Sequence, residues 1–169
     1  MSFAYTGGEY NVAGSFNKFV KDNLNVTVPA WKSGAFAIVY NYPDIPLAPP
    51  CFSVTHLGGF ESGWAQGGRV GEGLQGQRLR RIAEVSAWVD AKDNYNWARD
   101  IMTMRDMVVK LFSNTREIPI YNVYGSTTNP TATGAILRVL GVEDADTEPD
   151  PNPNIKRRRL LVTYEYWQR

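Results

Sequence analysis

Cysteine is nearly absent: Cys51 stands alone among 169 residues, so no intrachain disulfide can form. A single thiol fits a reducing compartment. Histidine is as scarce, with His56 the only one. One imidazole and one thiol supply no metal-ligand spacing. Excess charge is missing too: 18 basic and 17 acidic residues leave +1, which gives no global pull toward nucleic acid or anionic membrane. No stretch approaches the ~18 apolar residues of a membrane span. MSFAYTGGEY has neither the basic nor the apolar region of a secretory signal. These absences predict a protein that folds in the cytoplasm, and make the sequon Asn25-Val26-Thr27 a chance match.

What is present is an ordinary globular composition, 43% hydrophobic and 21% charged, in a length that suits one domain, 1–169. Ser15 is placed to cap a short helix over 15–24, with Phe16, Phe19, Val20 and Leu24 on one stripe. SGAFAIVY (33–40) is nearly continuous in apolar residues and predicts a strand covered on both faces. Pro43, Pro46, Pro49 and Pro50 forbid regular structure in the next stretch. CFSVTHL (51–57) predicts a second strand, with Cys51 and His56 on opposite faces and therefore not a thiolate–imidazole pair. His56 shares a face with Phe52 and Val54, as a structural residue would.

Residues 58–76 hold eight glycines in nineteen positions, which predicts a flexible excursion that nonetheless carries Phe60 and Trp64. Gly71, Gly73 and Gly76 satisfy G-x-G-x-x-G, but the dinucleotide fingerprint requires a preceding strand and a following helix. This match sits in a glycine-rich segment leading into a strand, so no cofactor is expected. QRLRRIAEVSAWV (77–89) fits either period: Ala83, Val85, Ala87 and Val89 line one face of a strand, and Leu79, Ile82, Ala83, Ser86 and Val89 one face of a helix. The strand is preferred because the next segment is so clearly helical.

In that segment, 94–113, Trp97, Ile101, Met104, Val108 and Leu111 form an unbroken apolar stripe. Arg99, Thr103, Asp106 and Lys110 lie opposite. Asp93 is placed to cap the helix, and Asp106 to pair with Lys110. EIPIYNVY (117–124), TGAILRVLGV (133–142) and KRRRLLVTYEYWQ (156–168) predict strands, the last by strict alternation. An acidic, proline-rich loop precedes that final strand. The order predicts an α+β fold: a mixed, mostly antiparallel sheet with two helices packed on one face. No Walker loop, nucleophile elbow or paired-carboxylate motif occurs, so no catalytic, cofactor-binding or metal residue is assigned.

Two charge features remain, the basic residues Arg78, Arg80, Arg81 and Lys156, Arg157, Arg158, Arg159, and the acidic run Glu143, Asp144, Asp146, Glu148, Asp150. Solvated strand ends and loop are the plain reading of each residue. Opposite signs in one chain also fit protein–protein complementarity, with the acids of one subunit beside the basic strand starts of the next. An intrachain contact is the competing explanation, which prolines 149, 151 and 153 oppose by stiffening the connection into an extended form. The candidate interaction residues are Phe60, Trp64, Arg69, Arg78, Arg80, Arg81, Asp144, Asp146, Asp150, Arg157, Arg158 and Arg159.

The succession VSAWVDAK, DNYNWARDIMTMRDMVVKLF, EIPIYNVY and DPNPNIKRRRLLVTYEYW, over residues 78–168, resembles the tail terminator (tail completion) proteins of long-tailed bacteriophages. That resemblance implies a small, non-enzymatic virion protein forming a hexameric ring. The ring caps the tail tube, ends its polymerisation and offers a joining surface to the head–tail connector. The implied partners are further copies of the chain, the major tail tube protein and the connector or stopper protein, with genome DNA threading the ring and no sequence-specific contact. Its implied place is the tail–neck junction. Family members carry loops that order on assembly, a role the 58–76 segment would suit. The alternatives are a head-closure or other neck protein of the same virion and, from a different class, a small enzyme without a recognisable motif.

Overall fold

The computed structural model describes residues 8–40, 48–69, 75–145 and 152–168. Two helices and six strands follow in the order α1 (Gly8–Leu24), β1 (Ala37–Tyr40), β2 (Cys51–Arg69), β3 (Gln75–Asp90), α2 (Trp97–Asn114), β4 (Glu117–Tyr121), β5 (Ala132–Asp144) and β6 (Ile155–Gln168). The strands form one sheet, ordered β1-β2-β3-β6-β5-β4. Only β1 and β2 run parallel; every other pair is antiparallel. The expected α+β class, with a mixed, mostly antiparallel sheet, is what the chain adopts as a single compact domain.

The helices cover one face. Phe52, Val54, Ala83, Val85, Ala87, Leu160, Val162 and Leu137 point into a core with Phe16 and Val20 of α1 and Met104, Val108 and Phe112 of α2. Phe16 is its centre, stacked against Phe112 at 5.3 Å and Tyr164 at 5.2 Å between ring centroids. Burying a ring of that size contributes roughly 1.5–3 kcal/mol, and the ring pairs add to it. The α2 stripe behaves as its spacing predicts at Ile101, Met104 and Val108, which are buried, whereas Trp97 at the helix start is partly exposed and Phe112 takes the final inward position.

Five local expectations need correction. Ser15 is no N-cap: α1 begins seven residues earlier, and Ser15 is buried within it. Its hydroxyl donates to Asn11 O at 2.6 Å and accepts from Tyr121 N at 2.8 Å, fastening α1 to β4. Asp93 does not cap α2, whose start is set by Asn94: Trp97 N donates to Asn94 O at 3.2 Å and the Asn94 amide donates to Asp100 at 3.0 Å. Asp106 pairs with Arg105 at 2.8 Å rather than with Lys110. The strand expected over 33–40 shortens to Ala37–Tyr40 at the edge of the sheet, mostly half-buried rather than covered on both faces.

The fifth concerns 58–76. Instead of an irregular excursion, residues up to Arg69 continue β2 and residues from Gln75 begin β3, so the two make one long hairpin. Glycine weakens the side-chain signal of a strand but keeps its N–H and C=O for the ladder. The cost is seen in the register, which shifts between Leu57 and Gly59, Glu61 and Trp64, and Trp64 and Arg69. The Pro49–Pro50 peptide bond leading into β2 is cis.

Candidate functional site

On the helix-free face, β3 and β6 lie side by side with Ser86 opposite Arg159, Trp88 opposite Arg157 and Arg80 opposite Glu165. Alternation along each strand sends these side chains away from the helices. The result is a repeated motif of one buried carboxylate held by two arginines. Glu84 accepts from Arg157 and, at 2.8 Å, from Arg159. Glu165 accepts from Arg78 and lies 3.9 Å from Arg80. The carboxylates are only 5% and 6% exposed in their side chains, whereas the four arginines range from 18% to 40%, so the guanidinium groups form the outer layer. Burial works to raise the Glu84 carboxyl pKa, but hydrogen bonds from Ser86 (2.7 Å) and Arg159, with the Arg157 charge, outweigh it and hold the group below its ordinary value. The Arg157 guanidinium also sits 4.7 Å from the Trp88 ring centroid, and the indole N–H of Trp88 donates to Ser53 at 2.9 Å. The result is a polar layer in which carboxylates, arginines, Ser86 and Trp88 hold one another in place.

On the opposite face, at the N-terminal half of α1, Val12, Ala13, His56, Leu57, Gly58, Arg81, Tyr164 and Tyr166 line a cleft of about 280 Å3. His56 Nε2 lies 2.8 Å from Asn17 Oδ1 and Nδ1 lies 3.4 Å from the Tyr164 hydroxyl. The amide oxygen can only accept, which puts the imidazole proton on Nε2 and leaves Nδ1 to accept from the tyrosine. Burial drives the His56 pKa down to about 4, so the ring is neutral at physiological pH with both nitrogens engaged. Such a histidine positions its neighbours and is not a free general base, in keeping with its expected structural role.

The predicted interaction residues divide by place. Arg78, Arg80, Arg157 and Arg159 meet in the layer on the helix-free face. Arg81 lies on the helix side, in the cleft. Phe60, Trp64 and Arg69 belong to the far part of β2. Asp144 is the last residue of β5 rather than part of a loop, while Asp146 and Asp150 lie outside the described residues. Asp144 receives Arg105 at 2.5 Å and Arg158 at 3.0 Å within its own chain, and these two arginines hold its pKa down against a smaller opposing effect of burial. At Asp144 the contact formed is thus the competing, intrachain one, with the basic start of β6. The antiparallel register, with Asp144 opposite Leu160, brings acid and base together inside one sheet. Glu84 and Glu165 were not singled out by the sequence reading, because each looks like any polar strand residue until its neighbours are known. Cys51 is buried, and its thiol pKa is pushed up to about 11 by burial, which makes it inert. Among the described residues, no group of three or more His, Cys, Asp and Glu is placed to hold a metal ion, and no helix is long and apolar enough to cross a membrane.

No protein-family model matches the chain, and no curated protein matches it. Solved structures do resemble it. One, which bears no descriptive name, is 12% identical with a TM-score of 0.51, over 94% of this chain and 95% of its own. At that identity the likeness is one of fold.

Proposed function

We propose that this chain is a structural virion protein, a tail terminator whose copies form a ring on the end of the phage tail tube. The ring ends tube polymerisation and presents a joining surface to the head–tail connector. The reading rests on one observation: the succession over residues 78–168 of a strand, an aromatic-bearing amphipathic helix, further strands and a final strand running from basic to aromatic. That succession corresponds to β3, α2, β4, β5 and β6, which occupy neighbouring places in one sheet and on its covered face. A ring-forming protein needs a rigid body from which to present its contact surfaces, and the Arg–Glu–Arg layer between β3 and β6 provides stiffness of that kind. In this reading the chain folds and assembles in the host cytoplasm and ends at the tail–neck junction. Its partners are its own copies, the major tail tube protein and the connector.

Two measurements test it. Light scattering on the purified chain, alone and with tail tubes, should give a closed oligomer of discrete mass, and negative-stain images should show rings. A monomer at every concentration, together with bare ends on tubes incubated with the protein, would sink the proposal.

A further inference from the structure

Tyr95 stands on the turn between β3 and α2 with its whole side chain in water. Tyr10 and Tyr124 are exposed too, but they meet each other edge to face, 6.0 Å between centroids. Tyr95 has no ring contact among the described residues. The turn that carries it is fixed. Lys92 N donates to Asp90 Oδ1 at 2.8 Å, Asn96 N to Asn94 Oδ1 at 2.9 Å, and Ala91 N to Asn154 O at 2.6 Å. A large aromatic side chain displayed on a fixed backbone is the form of an interface anchor, because covering it costs little further ordering. At the other end of α2 a cleft of about 220 Å3 opens between the last turns of the two helices. Val26, Met107 and Leu111 give it apolar surface, and Asn23, Lys110 and Asn114 polar surface. Val26 is itself 75% exposed. Lys110 enters no ion pair among the described residues, since Asp106 is taken by Arg105. The cleft is smaller than the ~300 Å3 at which small-ligand pockets begin, which suits it to one inserted side chain.

We propose that Tyr95 of one copy inserts into this cleft of the next. The inference rests on the ring reading and deepens it by naming the contact between subunits. A tyrosine matches a lining of both kinds, since its body is apolar and its tip polar. The ring lies against Val26, Met107 and Leu111, with the Lys110 ammonium toward its face. The hydroxyl reaches Asn114 and the side-chain oxygen of Asn23, whose amide already donates to Phe19 O at 2.8 Å. Anchor and cleft lie at opposite ends of α2, an 18-residue helix, so they are roughly 27 Å apart at 1.5 Å per residue. Two different surfaces at opposite ends of one chain make a head-to-tail contact. Such a contact leaves one anchor and one cleft unused in any pair, so it propagates, and it ends as a ring where the rotation closes.

Sedimentation velocity on the full chain, with two variants and their mixture, tests the contact. The parent chain should assemble. Tyr95→Ala removes the anchor at a fully exposed position, and Val26→Trp obstructs the cleft from its exposed rim. Each should weaken assembly at least about thirtyfold while keeping the circular dichroism of the parent. Mixed one to one, the two variants should give a heterodimer and nothing larger, because each supplies the half that the other lacks. Tyr95→Phe, which keeps the ring and loses the hydroxyl, should weaken assembly by about 2–10-fold. The proposal is overturned if the parent assembles and either Tyr95→Ala or Val26→Trp assembles equally well, a result that leaves the ring reading standing. It is overturned as well if the mixture stays monomeric or runs past the dimer. A parent chain that is monomeric at every concentration overturns both readings together.

Discussion

The two faces of the sheet solve the burial problem in opposite ways. On the helix side, Phe16, Phe112 and Tyr164 stack while aliphatic residues fill the space around them, so cohesion comes from area removed from water. On the helix-free side, Glu84, Ser86, Trp88 and Glu165 are as well buried as the core, yet two of the four are charged. That burial is tolerated because each carboxylate is held by two arginines. The first face tolerates conservative changes of shape; the second depends on every partner being present, since removing one leaves an uncompensated charge.

The contrast can be broken from either side. Phe16→Ala should cost the most, about 3–5 kcal/mol, because it empties the space between α1, α2 and β6; urea unfolding with an unchanged slope would register it. Glu84→Gln should cost about 3 kcal/mol, at the lower end for a broken buried pair. It leaves Arg157 and Arg159 facing each other across a neutral amide. Should Glu84→Gln prove neutral in the same assay, the layer is decoration and the contrast fails.

Acid sharpens the comparison, because the two faces titrate in different windows. His56 has a folded pKa of about 4 against an ordinary 6.5, so between those values the unfolded chain binds a proton that the folded chain refuses. Stability is therefore fully present above about pH 6.5 and falls as the pH drops toward 4, by up to about 3 kcal/mol. Glu84 and Asp144 are held below their ordinary values. Their contributions are present above the unfolded carboxylate pKa and are lost at lower pH, as each folded group is protonated. Thermal unfolding between pH 7 and about pH 5.5, above the ordinary carboxylate range, should thus report mainly the helix side, and His56→Gln should flatten that limb while sparing the more acidic one.

The smallest effect belongs to the exposed pair Arg138–Glu117, 3.3 Å apart with both side chains more than half exposed. Arg138→Ala should change stability by less than about 1 kcal/mol, and less still in salt. A larger loss would mean that the ionic network extends further across the sheet than the buried layer.

Local periodicity was enough for α2 and β6. An apolar stripe every three or four residues in α2 and a strict two-residue alternation from Leu160 to Tyr166 each select one backbone, and both elements formed. The signal failed where a side chain has two uses. Ser15 reads as a cap because serine oxygens satisfy free N–H groups at helix starts, but the N–H it serves belongs to Tyr121, across the fold. The glycine-rich stretch from 58 reads as loop because it carries no side-chain pattern, yet up to Arg69 it continues β2, with shifts of register along the way. Of the candidate site residues, the arginines were visible as basic runs, whereas Glu84, Glu165, Asn17 and Tyr164 acquire their roles only through partners distant in the chain.

What the sequence determined alone was the class of fold, the run of elements from β3 to β6 and the net charge of +1, because those follow from local patterning and simple counting. Tertiary structure decided how the charges are spent. The antiparallel register of β3 and β6 sets Glu84 among arginines more than seventy residues away in the chain, and β5 on β6 sets Asp144 beside Arg158. Register is a collective outcome of backbone pairing and core burial, so no window of sequence contains it.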